Sequence, residues 1–539
     1  MQDKQQGDWV SRRSFLAGVT GMAALGVVGG LTACAPATTN AGGSNNETAS
    51  VTSGGALPAN WDLTCDILVI GGGGSGLTAA AKAAELGNKV ILAEKMERVG
   101  GDTALSSQVV QGIWTPSYEE GDTKEIYLED LKQSHWATEK GEMGVALPSE
   151  FPLTNAWLDN CPEMYDWAEA GGMSWSAVTS PYACYYPQPQ WDTKHTRHYA
   201  PAGGSLITVL QNIAEGAGVD IQIRTPVIEL IAKDSGRVVG AWALDANERI
   251  IAIKATKALV LATGGFNADR GMMSRYLPLQ GMGFCGGGDG NTGDGHLFVK
   301  ALGGALNDMS LGSHWMVYDD VSPSVLYNGA SMIFYGGAEG QADATDLPFL
   351  LINMNGERFM AETMGYKWVG YHTNNQPYHL NHIVFDSGTV CQKWFETATT
   401  RYPDVKYYSA ETLDELAQQM QVPAETLATT IQRYNQLVDT GVDEDFGRSM
   451  RGVGKLETPP FRAVRMRPRH YTTYGGVGID TSCRVLKEDG SIIPGLYAAG
   501  TVCGTLVEQE GLYYQGGNGQ ALTFGYLAGK TAATEESWE

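Results

Sequence analysis

Residues 65–76 read Cys-Asp-Ile-Leu-Val-Ile-Gly-Gly-Gly-Gly-Ser-Gly, an apolar run that passes directly into a glycine-rich loop. The apolar run predicts a buried parallel strand over Cys65–Ile70. After the loop, Leu77–Leu86 has the composition of a helix, and Lys89–Ala93 predicts a second strand that ends at Glu94. The segment therefore predicts a βαβ unit.

The glycines of this loop have the spacing G-x-G-x-x-G, at Gly71, Gly73 and Gly76. In such a motif the first glycine permits a tight turn, the second lets the backbone approach a pyrophosphate, and the third lets helix and strand pack closely. The helix N-terminus adds unpaired N–H groups and a partial positive charge for the phosphates. Glu94 ends the second strand, where a carboxylate can accept the ribose hydroxyls. The unit therefore predicts a dinucleotide-binding site.

Several downstream segments decide which dinucleotide is expected. Residues 257–266 (KALVLATGGF) and 493–500 (IPGLYAAG) are apolar strands that run into glycine turns. Other segments match the motifs EK…GGxTA, TGDG, NGxRFxxE and GGVxID, at residues 94–104, 292–295, 355–362 and 475–480. Together these motifs resemble the flavoproteins of the fumarate reductase and 3-ketosteroid dehydrogenase superfamily, from about residue 64 to 532. The resemblance implies FAD as the cofactor.

The resemblance also implies an α/β fold with a split Rossmann-like FAD-binding domain and an inserted α+β capping domain. The FAD-binding domain is expected over residues 59–343 and 474–539, and the cap over 344–473. Helical patterns at 411–421 and 424–437 fall within the cap. The active site is expected where the cap meets the isoalloxazine ring.

The family motifs carry over to a set of expected FAD contacts. They are Gly71, Gly73, Gly74, Ser75 and Gly76 at the pyrophosphate; Glu94 and Lys95 at the adenosine; Gly101, Asp102, Thr103 and Ala104 on the flavin side; Thr263, Gly264 and Asp294 near the adenine half; and Gly500, Thr501, Gln520, Ala521 and Leu522 at the ribityl chain and pyrimidine end. Asp102 stands where the family usually has Asn, and Thr501 where Glu is common. No histidine lies in residues 102–108, where some members bond the flavin covalently, so non-covalent FAD is expected.

The positions that bind a dicarboxylate in fumarate reductases lack their cations here. Residues 513–518 (YYQGGN) stand for the family's NRLGGN, and residues 472–476 (TTYGG) stand for its HTMGG. No arginine follows Phe385-Asp386 closely. Because a dicarboxylate demands such cations, fumarate and succinate are not expected as substrates. A small molecule whose C=C is conjugated to a neutral carbonyl is expected instead.

Tyrosines are the expected proton or hydrogen-bond donors at such a bond. The candidates are Tyr513 or Tyr514, with Tyr474 beside them. Arg358 and Glu362 of the NGxRFxxE motif are further candidates, for which an ion pair that braces the cap hinge is the alternative interpretation. Residues 112–116 (GIWTP) and 523–526 (TFGY) resemble the ketosteroid-oxidising branch. The reverse reaction, a ketosteroid-type dehydrogenation that passes electrons to a quinone, therefore stays open.

The first 34 residues have the features of an export signal. Residues 11–16 (SRRSFL) precede a weakly apolar stretch, which resembles a twin-arginine signal, and Leu31–Cys34 resembles a bacterial lipobox. Residues 35–58 are rich in small polar groups and predict a flexible tether. We therefore expect a protein anchored through lipidated Cys34 to the outer face of the cytoplasmic membrane.

Charge and cysteine spacing limit the partners. The net charge of −23 argues against nucleic acid, because phosphate binding needs a basic surface. None of the eight cysteines forms a C-x-x-C pair, so neither a haem attachment site nor a ferredoxin-type cluster is predicted. Reducing electrons are then expected from a separate donor, either a multihaem cytochrome or a quinol-linked membrane protein.

Overall fold

The computed structural model describes residues 57–133, 139–178, 195–202, 204–280, 284–313, 315–318, 349–362, 365–388, 391–401, 403, 405–448, 450, 453–512 and 516–539. The strands are β1 Leu63–Ile70, β2 Val90–Ala93, β3 Val110–Gln111, β4 Trp175–Ala177, β5 His198–Pro201, β6 Asp220–Gln222, β7 Val227–Ala232, β8 Val238–Leu244, β9 Ile250–Leu261, β10 Phe284–Cys285, β11 Leu306–Asn307, β12 Trp315–Tyr318, β13 Leu350–Asn353, β14 Asn381–Asp386, β15 Tyr407–Ala410, β16 Phe461–His470, β17 Gly476–Val477, β18 Arg484–Leu486 and β19 Ile492–Ala498. The α-helices are Gly74–Glu85, Gly101–Leu105, Thr115–Glu119, Lys124–Gln133, Glu139–Glu142, Pro152–Ala170, Leu206–Gly216, Arg270–Tyr276, Asp294–Ala301, Gly365–Asn374, Cys391–Arg401, Leu413–Met420, Ala424–Thr440, Leu506–Gln509 and Gly517–Ala532, with 3₁₀ turns at Pro377–His379 and Thr501–Cys503.

The larger sheet has the order β18-β19-β9-β1-β2-β6, and β7 and β8 continue it from β9. Its centre is parallel: β1 pairs with β2 and with β9, and β9 pairs with β19. Residues 67–69 of β1 are fully buried, because a parallel strand is covered by helices on both faces. The predicted strand–loop–helix–strand unit is confirmed, and so is the parallel α/β fold.

The last helix closes the same domain. Gly517–Ala532 crosses Gly74–Glu85 with little space between the two backbones. A Cβ built on Gly525 would lie 2.4 Å from the Ser75 carbonyl oxygen, and one on Gly529 would lie 2.3 Å from that of Ala79. The C-terminal segment therefore belongs to the domain that the glycine loop begins.

The second sheet is mainly antiparallel, in the order β10-β16-β14-β13, with β12 and β15 also pairing with β16. Helices Leu413–Met420 and Ala424–Thr440 cover it, and side chains such as Leu416, Leu427 and Ile431 form its core. Strands β10 and β12 precede residue 344, so this sheet takes strands from both sides of the boundary expected there.

Within the described ranges, no helix combines the length and the apolar character that crossing a bilayer requires. The predicted export signal, with Cys34, lies outside these ranges.

Candidate functional site

The glycine loop between β1 and the helix Gly74–Glu85 is closed on one side and open on the other. Gly71 has φ of +106°, and a Cβ there would lie 2.3 Å from the carbonyl oxygen of Ala262. A Cβ on Gly76 would lie 1.9 Å from the Gly71 carbonyl oxygen. A Cβ on Gly73, in contrast, would meet no atom within 4 Å. The open face beside a helix N-terminus suits a pyrophosphate.

Glu94 ties the end of β2 to this loop. Its carboxylate accepts hydrogen bonds from the Gly72 amide at 2.6 Å and from the Met96 amide at 2.8 Å. A carboxylate offers about four lone-pair positions, so two such bonds leave acceptor capacity for ribose hydroxyls. The geometry is compatible with the predicted ribose contact.

Lys95, the next residue, reaches the start of another helix. Its ammonium donates to Thr292 Oγ1 at 2.6 Å and to Asp294 Oδ2 at 2.7 Å. Asp294 stands in the first turn of the helix Asp294–Ala301. The predicted EK and TGDG motifs are thus joined directly.

Other predicted cofactor residues converge on the same loop. A Cβ on Gly74 would lie 2.6 Å from Thr103 Oγ1 and 3.2 Å from Leu522 Cδ1. Gly101 is similarly close, since its Cβ would lie 3.3 Å from the Gly73 Cα. Residues separated by more than 400 positions therefore lie around one opening.

The ends of β9 and β19 complete this group. Gly500 has φ of +78°, and its Cβ would lie 2.3 Å from Ser75 Oγ and 4.0 Å from Ala521 Cβ. The Cβ of Gly264 would lie 4.0 Å from Thr501 Oγ1. Gln520, by contrast, binds the chain itself, because its Oε1 accepts from the Val507 amide at 3.3 Å.

Thr263 supplies a polar atom that no described residue satisfies. Its Oγ1 is buried and has no hydrogen-bond partner among the described residues. Buried hydroxyls are normally paired, so this orphaned atom beside the glycine turn fits a site that a polar ligand completes. The open loop, the orphaned hydroxyl and the free capacity of Glu94 together fit a bound dinucleotide.

Asp102 lies between the glycine loop and the loop that precedes Asp294. Its carboxylate accepts hydrogen bonds from the Gly288 amide at 2.6 Å and from Asn291 Nδ2 at 2.7 Å. Burial raises the pKa of its carboxyl to about 6, although both hydrogen bonds oppose that rise. Gly288 and Asn291 were not among the predicted site residues. Their one signal in the sequence is that Asn291 immediately precedes the TGDG motif.

Of the predicted proton donors, Tyr513 and Tyr514 lie outside the described residues. Tyr474 is buried, and its carbonyl oxygen accepts hydrogen bonds from Gln509 Nε2 and from the Thr505 amide, each at 2.9 Å. Its neighbour Thr473 has a buried Oγ1 without a partner among the described residues.

The Thr473 hydroxyl faces the glycine turn after β9. A Cβ on Gly265 would lie 2.5 Å from Thr473 Oγ1 and 3.3 Å from Asn267 Oδ1. Asn267 Oδ1 is also buried and lacks a partner within the described part of the chain. The sequence analysis did not single out Asn267, which no motif marks.

Arg358 and Glu362 belong to a buried ion network beside the second sheet. Arg358 forms two hydrogen bonds to the Glu362 carboxylate, at 2.9 and 2.8 Å, and two to that of Asp443. Arg448 donates to Glu362 at 2.9 Å. These contacts are those of an ion-pair brace, and they use four of the five N–H donors of Arg358.

A sequence profile described as an FAD binding domain matches residues 66–519. The chain belongs to this FAD-binding family. The chain therefore binds FAD, which the open loop and the orphaned hydroxyl described above fit, and it is an FAD-dependent oxidoreductase of the class that acts on CH–CH and C=C bonds. When bound, FAD supplies hydride transfer at flavin N5.

Relatives of this FAD-family chain include both predicted branches. It is 30% identical over 483 residues to the NADH:fumarate oxidoreductase of Klebsiella pneumoniae, covering 87% of this chain and 47% of that protein. The chain thus spans about half the length of that relative. It is 25% identical over 578 residues to the 3-oxosteroid 1-dehydrogenase of Mycobacterium tuberculosis, covering 86% and 97% of the two chains.

A solved structure of the open conformation of a flavocytochrome c3 fumarate reductase has the same fold. The two structures superpose with a TM-score of 0.68 at 25% identity, over 88% of this chain and 79% of the other. The predicted membership of the fumarate reductase and ketosteroid dehydrogenase superfamily is confirmed.

Proposed function

We propose that this protein is an exported reductase that saturates a C=C bond conjugated to a neutral carbonyl, as in an enone or an enoate-like compound. Substrates of steroid-like or plant-derived character have this chemistry. Fumarate is not the proposed substrate, although several relatives are named as fumarate reductases. The proposal concerns the site facing the flavin, where segments 472–476 and 513–518 lack the cationic residues of the family motifs that they resemble.

The buried Thr473 hydroxyl carries the proposal. It lies in the segment 472–476, which stands for the family's histidine-containing HTMGG, and the side chains of Thr472, Thr473 and Tyr474 are all buried and uncharged. A neutral, unsatisfied hydroxyl can donate to a carbonyl oxygen without requiring a negative charge. Two carboxylates placed there would lack the cations that offset their desolvation.

The nearest cations of this strand are engaged elsewhere. Arg469 Nη2 donates to the Gly286 carbonyl oxygen at 2.8 Å, and the ring nitrogen Nε2 of His470 lies 3.2 Å from the Asn267 carbonyl oxygen. These contacts fasten β16 to the loop around Gly286. They support a structural role for both residues.

Proton transfer to carbon is assigned to a tyrosine. Tyr513 and Tyr514 directly follow the described segment ending at Leu512, and Tyr474 is buried beside Thr473. A phenol can donate a proton or a hydrogen bond, and an enzyme group in either role must approach the reacting atoms closely. Hydride then adds to one carbon of the C=C and the tyrosine proton to the other.

An anaerobic oxidation assay tests the substrate class. The holoprotein with reduced viologen as electron donor is offered neutral enones, neutral enoate esters and fumarate. We expect viologen oxidation with at least one neutral carbonyl compound and none with fumarate. A protein that prefers fumarate, or that oxidises viologen with no member of the panel, contradicts the proposal.

Tyrosine variants test the donor. Tyr513→Phe, Tyr514→Phe and Tyr474→Phe are compared with Tyr497→Phe, whose hydroxyl donates to the Glu535 carboxylate at 2.7 Å. Loss of a general acid costs about 10²–10⁴ in rate. We expect one of the first three to lose activity by that order with FAD retained, and Tyr497→Phe to stay near the parent.

A ketosteroid-type dehydrogenase is the second candidate. The GIWTP segment supports it, since Trp114 lies in a buried aromatic group with Tyr165 and Tyr199, at ring-centroid distances of 5.5 and 5.4 Å. Oxidised flavin that bleaches on adding a saturated 3-ketosteroid favours this direction. A flavin midpoint potential well below that of menaquinone favours reduction.

Export, anchoring and the donor complete the proposal. The pair Arg12-Arg13 and the lipobox cysteine Cys34 support twin-arginine export and lipidation. Cys34→Ser is expected to move the protein from the membrane fraction to the soluble fraction, whereas Arg12→Lys with Arg13→Lys is expected to retain it inside the cell. A cytochrome or quinol-linked protein is proposed as donor, in line with the flavocytochrome relative.

A further inference from the structure

The Asp102 carboxylate lies at the edge of the FAD site, and the partners that the structure describes for it are neutral. Its two hydrogen-bond donors, the Gly288 amide and the Asn291 side chain, are both neutral. No arginine, lysine or histidine of the described ranges forms a salt bridge with it. The chain thus keeps an acid where the family usually has the uncharged amide of Asn.

Asp102 also lies beside the dinucleotide loop. It belongs to the short helix Gly101–Leu105, whose Gly101 approaches Gly73 and whose Thr103 contacts the position of Gly74. Gly100 donates its amide to the Gly72 carbonyl oxygen at 2.8 Å. A cofactor bound at this loop therefore lies beside the helix that carries Asp102.

We propose that Asp102 is the proton-uptake group of this flavin site: its carboxylate binds one proton from solvent when the electron donor delivers two electrons to the flavin. Reduction adds negative charge to the flavin, and nearby negative charge raises the proton affinity of a carboxylate. By linkage, the ionised carboxylate disfavours reduction and lowers the flavin midpoint potential. No bond to carbon is involved, and the proposal is independent of the substrate.

The other ionisable groups around Asp102 do not take this role. Arg469, on β16, is bound to the Gly286 carbonyl, and Lys95 is paired with Asp294. Burial raises the pKa of the Cys285 thiol, and the charge of Asp102 adds to that rise, so this thiol stays neutral near pH 7. Asp289, on the same loop, is exposed to solvent.

The direction of the pH effect follows from the resting protonation state. The pKa of Asp102 is raised to about 6 by burial. Below that pH the acid is neutral before and after reduction, so it takes up nothing. Above it, reduction recruits one extra proton until the pH exceeds the pKa in the reduced protein. The potential should therefore fall more steeply with pH just above pH 6 than the flavin alone requires.

The midpoint potential of the holoprotein, measured with a reference dye between pH 5 and 9, tests this. Asp102→Asn is nearly isosteric, and Asp289→Asn removes an exposed charge from the same loop as the matched control. We expect Asp102→Asn to have a higher potential than the parent at pH 8, to converge with it at pH 5, and to lose the steeper segment. Asp289→Asn should follow the parent throughout. A pH-independent offset in Asp102→Asn, or no difference, overturns the proposal.

A second measurement tests the proposal even if Asp102→Asn fails to retain FAD. The absorption spectrum of the oxidised parent holoprotein is titrated, and ionisation of Asp102 should perturb it with a midpoint near pH 6. Asn291→Ala removes one hydrogen bond to the carboxylate and should move that midpoint to higher pH. An oxidised spectrum that is flat between pH 5 and 8 in the parent overturns the proposal by itself.

Discussion

The ammonium of Lys95 lies 2.7 Å from the Asp294 carboxylate, across 199 positions of sequence. One partner follows strand β2 and the other begins the helix Asp294–Ala301. Their side chains are only 25% and 17% exposed, so solvent screens the pair less than a surface pair. The contact ties the start of the helix Asp294–Ala301 to the βαβ unit.

Lys95→Met is therefore expected to weaken FAD binding. A partly exposed ion pair contributes about 1 kcal/mol, which corresponds to about a fivefold rise in the dissociation constant. Quenching of FAD fluorescence by apoprotein measures it. Arg224→Met, which breaks the exposed pair with Glu97, is the control and should bind FAD as the parent does. Equal FAD affinities in the two variants would show that Lys95 does not contribute to FAD binding.

The glycine loop gives a paired prediction. Gly73→Ala should leave the melting temperature of the apoprotein unchanged but reduce FAD affinity at least tenfold, because its Cβ enters only the open space. Gly76→Ala should lower both the melting temperature and the FAD affinity. Its Cβ collides with the Gly71 carbonyl, and such overpacking costs about 1–3 kcal/mol. Thermal unfolding and flavin titration separate the two. Unimpaired flavin binding in Gly73→Ala would move the pyrophosphate away from this loop.

The local part of the FAD domain was predictable because its rules act over short stretches. The apolar run before Gly71 and the glycine spacing predict strand, turn and helix, and the strands ending at Leu261 and Ala498 lie parallel to β1 as their composition indicates. Packing between distant segments was not predictable in this way. The bond from Gly288 to Asp102 spans 186 positions, and no periodicity marks either residue.

The ion network around Glu362 illustrates the same limit. The NGxRFxxE motif contains both Arg358 and Glu362, and an ion pair between them was one of its two interpretations. The other members of the network, Asp443 and Arg448, lie 85 or more positions away. They reach the pair only because the chain passes through the helix Ala424–Thr440 and returns to β16. Which of the tyrosines meets substrate is likewise a matter of tertiary placement.

Glu362→Gln is expected to destabilise the protein strongly. The carboxylate is fully buried and neutralises Arg358 and Arg448, which are 5% and 0% exposed. Removing one partner of a buried pair costs about 3–5 kcal/mol, because the remaining charges stay uncompensated. Denaturant unfolding measures the loss. Glu444→Gln, which breaks an exposed pair with Arg433, should change the free energy of unfolding by less than about 1 kcal/mol.

Asp102 also predicts how apoprotein stability depends on pH. Its folded-state pKa of about 6 lies above the unfolded value near 3.9. The carboxyl therefore favours the folded state fully below about pH 4, and this contribution is lost as pH rises through 6. Asp102→Asn should gain stability relative to the parent over that window, by about 3 kcal/mol at most. Thermal unfolding at pH 4, 6 and 8 checks it, and a difference that is constant with pH would contradict the raised pKa.

Glu510 anchors the segment that leads to Tyr513. Its carboxylate accepts hydrogen bonds from the Leu153 and Thr154 amides, each at 2.9 Å, and from the Thr154 hydroxyl at 2.6 Å. It thereby caps the N-terminus of the helix Pro152–Ala170. In most helices the capping side chain comes from a residue at the start of the helix itself.

Glu510→Ala should therefore cost about 1–2 kcal/mol of stability, the usual loss for a helix cap. It should also lower kcat, because Glu510, three residues before Tyr513, is then no longer bonded to the helix, while the visible flavin spectrum stays unchanged. Thr154→Val, which removes only the hydroxyl donor, is the matched control and should retain most of the activity. If Glu510→Ala loses stability but keeps full kcat, the Glu510 carboxylate serves the helix alone.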